Sequence, residues 1–241
     1  TCATAKRWVT NVTMALTSSL GLRLFMPVLA ISVAAVMTQN GWGLFSLTAL
    51  PSWLEIFLAL LLLDMLIYWQ HVASHKFSFL WSFHKVHHAD RDIDASTGIR
   101  FHPVEIILSM AYKIACVSAL GAPVVAVFVF EILLSSAALF NHANLRLPAR
   151  LDSALRLFIV TPDMHRVHHS SAIAESNRNF GFCLPYWDYL FKSYLVQPRL
   201  GHDKMTIGLQ EYQDQRPCSA LWLLLFPFDK KLAAQEKRSD S

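Results

Sequence analysis

Long uninterrupted stretches of apolar residues dominate the first 140 positions of the chain. Three of them cover residues 53–70, 104–120 and 122–140, and another covers about 24–42, where Gly41-Trp42-Gly43 predicts the end of a helix. A helix needs about 20 such residues to cross the hydrocarbon core of a bilayer. The pattern therefore predicts four membrane-spanning helices, the last two joined as a hairpin by a very tight turn.

A shorter apolar run extends from Leu221 to Phe228. It is too short to cross a bilayer. We expect it to lie on the membrane surface or to pack against the polar part of the protein.

Charged residues inside the predicted spans are costly, so each of them invites a partner. Lys113 and Glu131 stand at similar distances from the hairpin turn on neighbouring helices, at a depth of about 12–15 Å when each residue rises by about 1.5 Å. We therefore predict that they face each other.

Composition agrees with a lipid-embedded protein. The chain has 241 residues, of which 54% are hydrophobic and 16% charged, whereas a soluble domain is about one quarter charged. Its net charge of +4 is small and the charges are dispersed, which gives no indication of a nucleic-acid partner. The four cysteines form no CxxC and no close pair, so the sequence supports neither a redox dithiol nor a thiolate metal site.

The basic residues are distributed unevenly between the segments that connect the spans. Residues 38–52 and the turn at 121–123 contain no Lys or Arg, whereas the N-terminal segment, residues 71–103 and the segment after residue 140 contain several. By the positive-inside rule, both termini and both long polar segments are expected in the cytoplasm.

Eight of the 11 histidines fall in three tight patterns. These are His71-x3-His75, His84-x2-His87-His88 and His165-x2-His168-His169. Spacings of three and four residues place imidazoles on one face of a helix, which is the geometry for binding one metal ion or a close pair. Two HxxHH patterns in one chain are far more than chance would give.

Local sequence predicts helices at these patterns. Thr161-Pro162-Asp163 supplies an N-cap, a proline at the first helical position and an acid in the first turn before His165. Ser82 is a weaker candidate N-cap for the helix that carries His84. The HVASH pair continues the second span, and Asp64 lies two turns before His71, which places its carboxylate behind the histidines.

The span count brings these histidines together. The second span ends at His71, the third begins after His102 and the fourth ends before His142, so all lie at one membrane face. Imidazole suits Zn, Cu, Fe and Ni. Eight or nine histidines exceed what one tetrahedral zinc ion can use, which favours two metal ions. The predicted fold is an all-α membrane protein of one domain, 1–241, with a cytoplasmic histidine cap from 71–103 and 141–209 and a C-terminal tail from 210–241.

The order of the motifs closely resembles the fatty acid hydroxylase superfamily, in particular its bacterial sterol-desaturase-like branch. The resemblance runs from about Arg7 to Leu209. It rests on the motifs HVASH, HKVHH, RFHPVE, FNHANLRLP, TPDMHRVHH and NFGFCLPYWDYLF.

This resemblance implies a set of metal ligands, and no catalytic residue beyond them. The set is His71, His75, His84, His87, His88, His142, His165, His168 and His169. Some relatives have another histidine a turn after the position of His142, but here that region reads Ala143-Asn144-Leu145-Arg146, which leaves the coordination of one metal ion open. His102 belongs to a recurrent motif of the branch and is a further candidate ligand, with a supporting or packing role as the alternative.

The tail motif of the resemblance contributes Asn179 and Asp188. Either side chain could hydrogen-bond the ring N–H of a histidine in the last cluster. The alternative is that Asn179 caps a turn and the neighbouring Trp187 packs.

The resemblance further implies a non-haem enzyme with two iron ions that uses dioxygen and two electrons to hydroxylate or desaturate a lipid, with zinc as a substitute ion in purified protein. The lipid could be a fatty acyl, sterol-like or alkyl-glycerol chain. The protein would lie in the bacterial inner membrane. No GxGxxG, CxxCH or ferredoxin-like cysteine run is present, so the electron donor is expected to be a separate molecule.

Two other functions fit the histidines alone. One is a zinc-dependent membrane hydrolase or isomerase that activates water. The other is a non-enzymatic metal-binding or transport protein, which the position of the histidines at one membrane face disfavours.

Overall fold

The architecture is entirely helical. The computed structural model describes residues 2–26 and 28–229, and within these ranges it has α-helices, short 3-10 turns and no β-strand. The α-helices are α1 Thr4–Phe25, α2 Ala30–Asn40, α3 Ser52–Lys76, α4 Ser78–His88, α5 Pro103–Leu120, α6 Val124–Asn141, α7 Ala149–Leu155, α8 Pro162–His168, α9 Ile173–Ser176, α10 Tyr186–Leu190 and α11 Ala220–Leu225.

Four segments of the described chain are long and apolar enough to cross a membrane. They are Thr4–Leu47, Ser52–Lys76, Pro103–Leu120 and Val124–Asn141. Their side chains form a common apolar core in which Leu63, Val117 and Phe130 are buried. The predicted second, third and fourth spans are confirmed as helices, and α3 continues through both histidines of HVASH.

The first predicted span is not a single helix. α1 ends at Phe25 and α2 begins at Ala30, so the apolar stretch of about 24–42 contains a break. The sequence has a proline between these two helices, and proline disfavours the interior of a helix because it lacks a backbone N–H.

Most of the buried residues of α1 are polar, and apolar residues are exposed on its other face. Its buried face includes Arg7, Asn11 and Ser18, while Val9 and Leu16 on the other face are about two-thirds exposed. The guanidinium of Arg7 binds the carboxylate of Asp90, and the Ser18 hydroxyl donates to the carbonyl of Phe101. α1 is therefore attached by polar contacts to the segment that carries the histidines.

The α5–α6 hairpin has the tight turn that the sequence predicts. Gly121 ends α5 in the left-handed conformation with φ of 60°, and α6 begins three residues later. The turn also contacts the end of the first span, because the amide of Leu44 donates to the carbonyl of Ala119. On the hairpin, Lys113 Nζ lies 2.8 Å from Glu131 Oε1, so the predicted pairing of these residues is confirmed.

Short helices form a cap over one end of the bundle. α4, α7, α8, α9 and α10 belong to this cap. The Thr161 hydroxyl accepts from the amide of Met164 and Pro162 opens α8, as predicted. The predicted cap at Ser82 is wrong: α3 ends at Lys76 and α4 begins two residues later, at Ser78, so the bend at Phe77 sets its start.

The C-terminal apolar run packs against the cap and does not span. Leu223 and Phe226 are buried against Met14 of α1 and Val86 of α4. The sulfur atoms of Cys2 and Cys218 are in disulfide contact across 216 positions of sequence. Spacing within the sequence gave no sign of this pair, because the packing of α1 against the C-terminal segment creates it.

Candidate metal centre

Nine histidines gather at the cap end of the bundle in two groups. The first group is His71, His75, His84, His88 and His168, and the second group is His87, His142, His165 and His169. In each group one ring nitrogen per residue lies within 4.8 Å of all the others. These are the nine residues named by the sequence motifs, and within the described ranges they are assembled as two adjacent donor sets.

Each HxxHH motif contributes to both groups. In α4, His84 and His88 belong to the first group and His87 to the second. In α8 the arrangement is reversed, since His165 and His169 belong to the second group and His168 to the first. A helix places residues i and i+4 in line and residue i+3 to one side, so one turn of helix can reach two neighbouring ions.

Five of the nine rings are held by a hydrogen bond from Nδ1. Four of the acceptors are backbone carbonyls and the fifth is a carboxylate oxygen, so Nδ1 is the donor in each of these rings and Nε2 is the nitrogen left to bind a metal ion. The contacts are His71 to Phe180 O at 2.8 Å, His84 to Glu105 Oε1 at 2.6 Å, His87 to Arg100 O at 3.2 Å, His142 to Ala138 O at 2.6 Å and His168 to Arg178 O at 2.8 Å. Fixing the tautomer and the ring plane in this way is what supporting residues do around a metal ion.

The second group brings four ring nitrogens to one point. The Nε2 atoms of His87, His165 and His169 each lie 3.1 Å from Nε2 of His142. Two nitrogens bound to the same ion at about 2.1 Å are about 3.0–3.4 Å apart when they subtend about 90–109°. The observed separations match that value.

Protonation explains why a cation would be stabilised at this point. Burial lowers the pKa of His142 to about 4 and the pKa of His87 well below its usual 6.5. Both rings are therefore neutral at pH 7 with the proton on Nδ1, and their Nε2 lone pairs face each other at 3.1 Å. Two lone pairs at this distance repel each other unless a positive ion lies between them.

The first group has unsatisfied nitrogens of the same kind. The Nε2 atoms of His75 and His168 are buried without a hydrogen-bond partner, and Nε2 of His88 lies 3.2 Å from Nε2 of His84. Buried polar atoms are rarely left unpaired. Burial lowers the pKa of His168 to about 3 and the pKa of His88 well below its usual value. These neutral donors fit a metal ion.

Glu105 is a functional residue that sequence reasoning missed. It is the only carboxylate among the five acceptors described above, and its second oxygen, Oε2, is buried without a partner. In the sequence, Glu105 stands at the third position of α5, where an acidic residue is expected simply to stabilise the helix N-terminus. Its pairing with His84 joins two helices and leaves no signal in the periodicity of either.

A loop after α9 supplies two of the acceptors and is itself held by acids. Phe180 and Gly181 donate their amides to the carboxylate of Asp188, at 2.8 and 2.9 Å. The carboxylate of Asp64 accepts from the amides of Cys183 and Leu184. These acids bind the loop that bears the acceptor carbonyls of His71 and His168.

Asp64, which is predicted to lie behind the histidines, acts on them through this loop. Asp64 also accepts from the indole of Trp187 at 2.8 Å, and its hydrogen bonds all run to the tail motif. Asn179 has φ of 53°, and its amide donates to the carbonyls of Met164 and Leu195. Asn179 thus braces a turn, which is the alternative that the sequence offered for it, and Asp188 holds the loop. Within the described residues, the hydrogen bonds of these two side chains do not reach an imidazole.

His102 lies outside both groups. Its Nδ1 accepts from the amide of Val104 at the start of α5, and its Nε2 donates to the carbonyl of Leu224. Both ring nitrogens are thus occupied by the protein. The geometry supports the packing role for His102 and not the role of a ligand.

A cavity of about 290 Å³ adjoins the first group between α3, α5 and α6. His71, His84 and Glu105 line the end near the cap, and Lys113 and Glu131 line the part within the bundle. Most of the remaining wall is apolar, including Ile67, Ile106, Leu134, Leu139 and Phe182. A chain-like apolar molecule could reach the histidines from within the bundle.

Comparisons with known proteins agree with this site. The sequence profile described as fatty acid hydroxylase matches residues 56–193, which include all nine histidines. An ornithine lipid hydroxylase of Rhizobium tropici is 29% identical over 149 residues, which is 62% of this chain and 44% of that protein. An alkylglycerol monooxygenase of Danio rerio is 28% identical over 172 residues, or 70% of this chain and 36% of that protein.

A methylsterol monooxygenase of Arabidopsis thaliana is 25% identical over 167 residues, which cover 68% of this chain and 62% of that protein. The chain thus spans less than half the length of the first two relatives. No solved structure gives a significant match.

Proposed function

Because the chain belongs to the fatty acid hydroxylase family, we propose that it is a membrane-bound lipid hydroxylase or desaturase that uses two iron ions and dioxygen. The observation that carries the proposal is the convergence of nine imidazoles, eight of them buried, into two adjacent donor sets beside a largely apolar cavity. The named relatives act, by their names, on ornithine lipid, alkylglycerol and methylsterol. A lipid substrate is the chemistry that these three have in common.

We assign one ion to each group of histidines. The first group offers five nitrogens and the second four. The second set needs no histidine beyond His142 to complete a four-nitrogen site, although residues 143–146 lack the extra histidine of some relatives. Iron bound here would supply the activation of dioxygen that breaking a C–H bond demands and that side chains cannot perform.

The protein residues would orient the ions and keep water away from them. Phe101 stacks on His87 with ring centroids 4.5 Å apart, and Phe180 contacts the rings of His71 and His168. Glu105 Oε1 holds the Nδ1 proton of His84, so that Nε2 stays free to bind. The apolar wall of the cavity would present one carbon of the lipid to this end.

We place the protein in a bacterial inner membrane with the histidine cap in the cytoplasm. The loops at the cap end carry the Lys and Arg excess, and residues 38–52 at the other end carry none. In that compartment the disulfide between Cys2 and Cys218 is expected to be reduced to two thiols. The two electrons would come from a separate donor, because the sequence has no cofactor motif of its own for their supply.

The proposal is tested with protein purified from iron-replete cells and with lipid extracts of cells grown under labelled dioxygen. We expect about two irons per chain and a lipid that carries the label, or a new double bond without it. His87→Ala and His168→Ala each remove one member of a different group and should abolish lipid oxidation, while His202→Ala, outside both groups, should not. Turnover retained in both group variants, or turnover without dioxygen, would contradict the proposal and favour a hydrolase.

A further inference from the structure

The cavity beside the first group is more polar than a hydrocarbon chain requires. Its wall contains Lys113 and Glu131 within the bundle and Gln70 next to His71. Charged groups at membrane depth are expensive and generally mark a function. The position of these side chains therefore bears on what the cavity binds.

The ion pair faces the cavity at a defined depth. Glu105, Ser109 and Lys113 follow one another at i, i+4 and i+8 on the same face of α5, and all three line the cavity. Eight residues of helix place Lys113 about 12 Å along the axis from Glu105, which contacts His84. The pair is therefore near the middle of the span, well away from the histidine end.

The pair has hydrogen-bonding capacity to spare. Lys113 Nζ can donate three hydrogen bonds, but within the described residues it contacts only Glu131, and its side chain is 9% exposed. Glu131 accepts at Oε1 alone. On α3, Oε1 of Gln70 is buried without a partner and lines the same cavity.

A plain hydrocarbon chain would leave all of these groups facing methylene groups, at the cost of their unmet hydrogen bonds. A headgroup or its ester linkage stays near the membrane surface, so it does not reach the middle of the span. An oxygen atom carried by the chain itself does reach it.

We propose that the cavity selects a lipid whose acyl chain carries a hydroxyl group, with Lys113 donating to the hydroxyl oxygen and Glu131 accepting its proton in a hydrogen bond. This proposal rests on the proposed function only in taking the histidine end of the cavity as the reaction site. It specifies the substrate class: a hydroxyacyl lipid that is presented to the histidine end about 12 Å from its hydroxyl.

The test measures binding and not turnover. Equilibrium dialysis in detergent compares stearic acid with its mid-chain hydroxy derivative for the wild-type protein. We expect the hydroxy acid to bind about fivefold more tightly or better, which is the effect of one net hydrogen bond. Equal binding of both acids by the wild-type protein overturns the proposal, even if the protein oxidises lipids. A preference in a protein that oxidises nothing would instead contradict the proposed function alone.

Three variants assign the preference to the pair. The double variant Lys113→Leu/Glu131→Leu removes both charges together and should bind the two acids equally. The swapped variant Lys113→Glu/Glu131→Lys keeps a donor and an acceptor and should retain the preference. Tyr112→Phe on the same helix is the matched control, because its hydroxyl donates to Leu66 O and does not line this cavity. A preference that survives in a folded double variant would show that the pair only joins the two helices.

Discussion

At the scale of single residues, the histidines could be predicted from the sequence and their supports could not. A pattern such as HxxHH is visible because its members are neighbours on one helix. Asp188 instead acts through two backbone amides, at Phe180 and Gly181, and Glu105 acts on a ring 21 positions away. Such contacts depend on how the helices are packed, and spacing along the chain does not encode that packing.

Asp188 gives a prediction at this scale. Both of its oxygens accept hydrogen bonds, from the amides of Phe180 and Gly181 and from the Ser193 hydroxyl. Asp188→Asn would turn an NH2 group towards one of these donors. We expect the free energy of unfolding to fall by about 2–3 kcal/mol and the iron affinity of the first group to fall about tenfold or more. Metal titration followed by elemental analysis measures the second effect.

Asp203→Asn is the matched control for this experiment. Asp203 pairs with Arg146, and both side chains are 74% exposed. Its loss should change stability by less than about 1 kcal/mol and leave iron binding unchanged. If Asp188→Asn behaves like this control, the loop does not hold the histidines as described.

At the scale of helices, the long apolar helices were predictable from the sequence, and α1, which precedes the break in the first apolar stretch, was not. The α5–α6 hairpin follows from apolar runs of full length and a glycine turn. α1 has its polar face buried and its apolar face outward, so hydrophobicity alone cannot distinguish it from a span. Its contacts with Asp90 and Phe101 decide its position, and these contacts appear only once the cap is folded.

Two glycines allow a test of how closely the helices pack away from the histidines. Gly41 and Gly121 end α2 and α5 with similar φ of 64° and 60°, but a Cβ at Gly121 would lie 2.2 Å from Trp42 O, whereas a Cβ at Gly41 meets nothing within 4 Å. Gly41→Ala should lower the free energy of unfolding by about 1–2 kcal/mol, because alanine is strained in the left-handed conformation. Gly121→Ala should cost about 3 kcal/mol, because overlap adds to this strain.

Thermal unfolding in detergent compares the two variants. Iron content should stay at the wild-type level in both, because the turn lies at the end of the bundle opposite the histidines. Equal destabilisation by the two substitutions would mean that the first span does not rest on the hairpin turn.

At the scale of the whole molecule, composition predicted a membrane protein and the structure shows where each class of residue went. Large apolar side chains remain exposed on the outer faces of the long helices, as at Phe57, Phe128 and Ile132. Nine imidazoles are collected inside the cap instead. The low charge of the sequence therefore corresponds to an apolar exterior, and its excess of histidine corresponds to a polar interior at one end of the molecule.

The buried histidines predict how the metal-free protein responds to acid. Burial disfavours the charged ring and lowers the folded pKa of His142 to about 4 and that of His168 to about 3. The unfolded chain therefore binds more protons than the folded chain below about pH 6.5, and stability falls as the pH falls through this range.

Thermal unfolding of chelated protein across pH measures this effect. The midpoint should be highest above about pH 7 and decline steadily towards about pH 5. Added iron should raise the midpoint at neutral pH and raise it less in acid, because protons compete for the same nitrogens. A midpoint that is flat over this range without metal would contradict the assignment of neutral, buried imidazoles.

Because α4 and α8 each contribute histidines to both groups, the binding of one metal ion affects the binding of the other. Each of these helices serves both groups, so an ion that fixes His84 and His88 also fixes His87 on the same helical turn. Binding of the first ion therefore orders the side chains that the second ion needs, so the second ion binds with a smaller loss of conformational entropy. We expect uptake to be cooperative, with chains that hold either no ion or two, and with the half-loaded form scarce at every metal concentration.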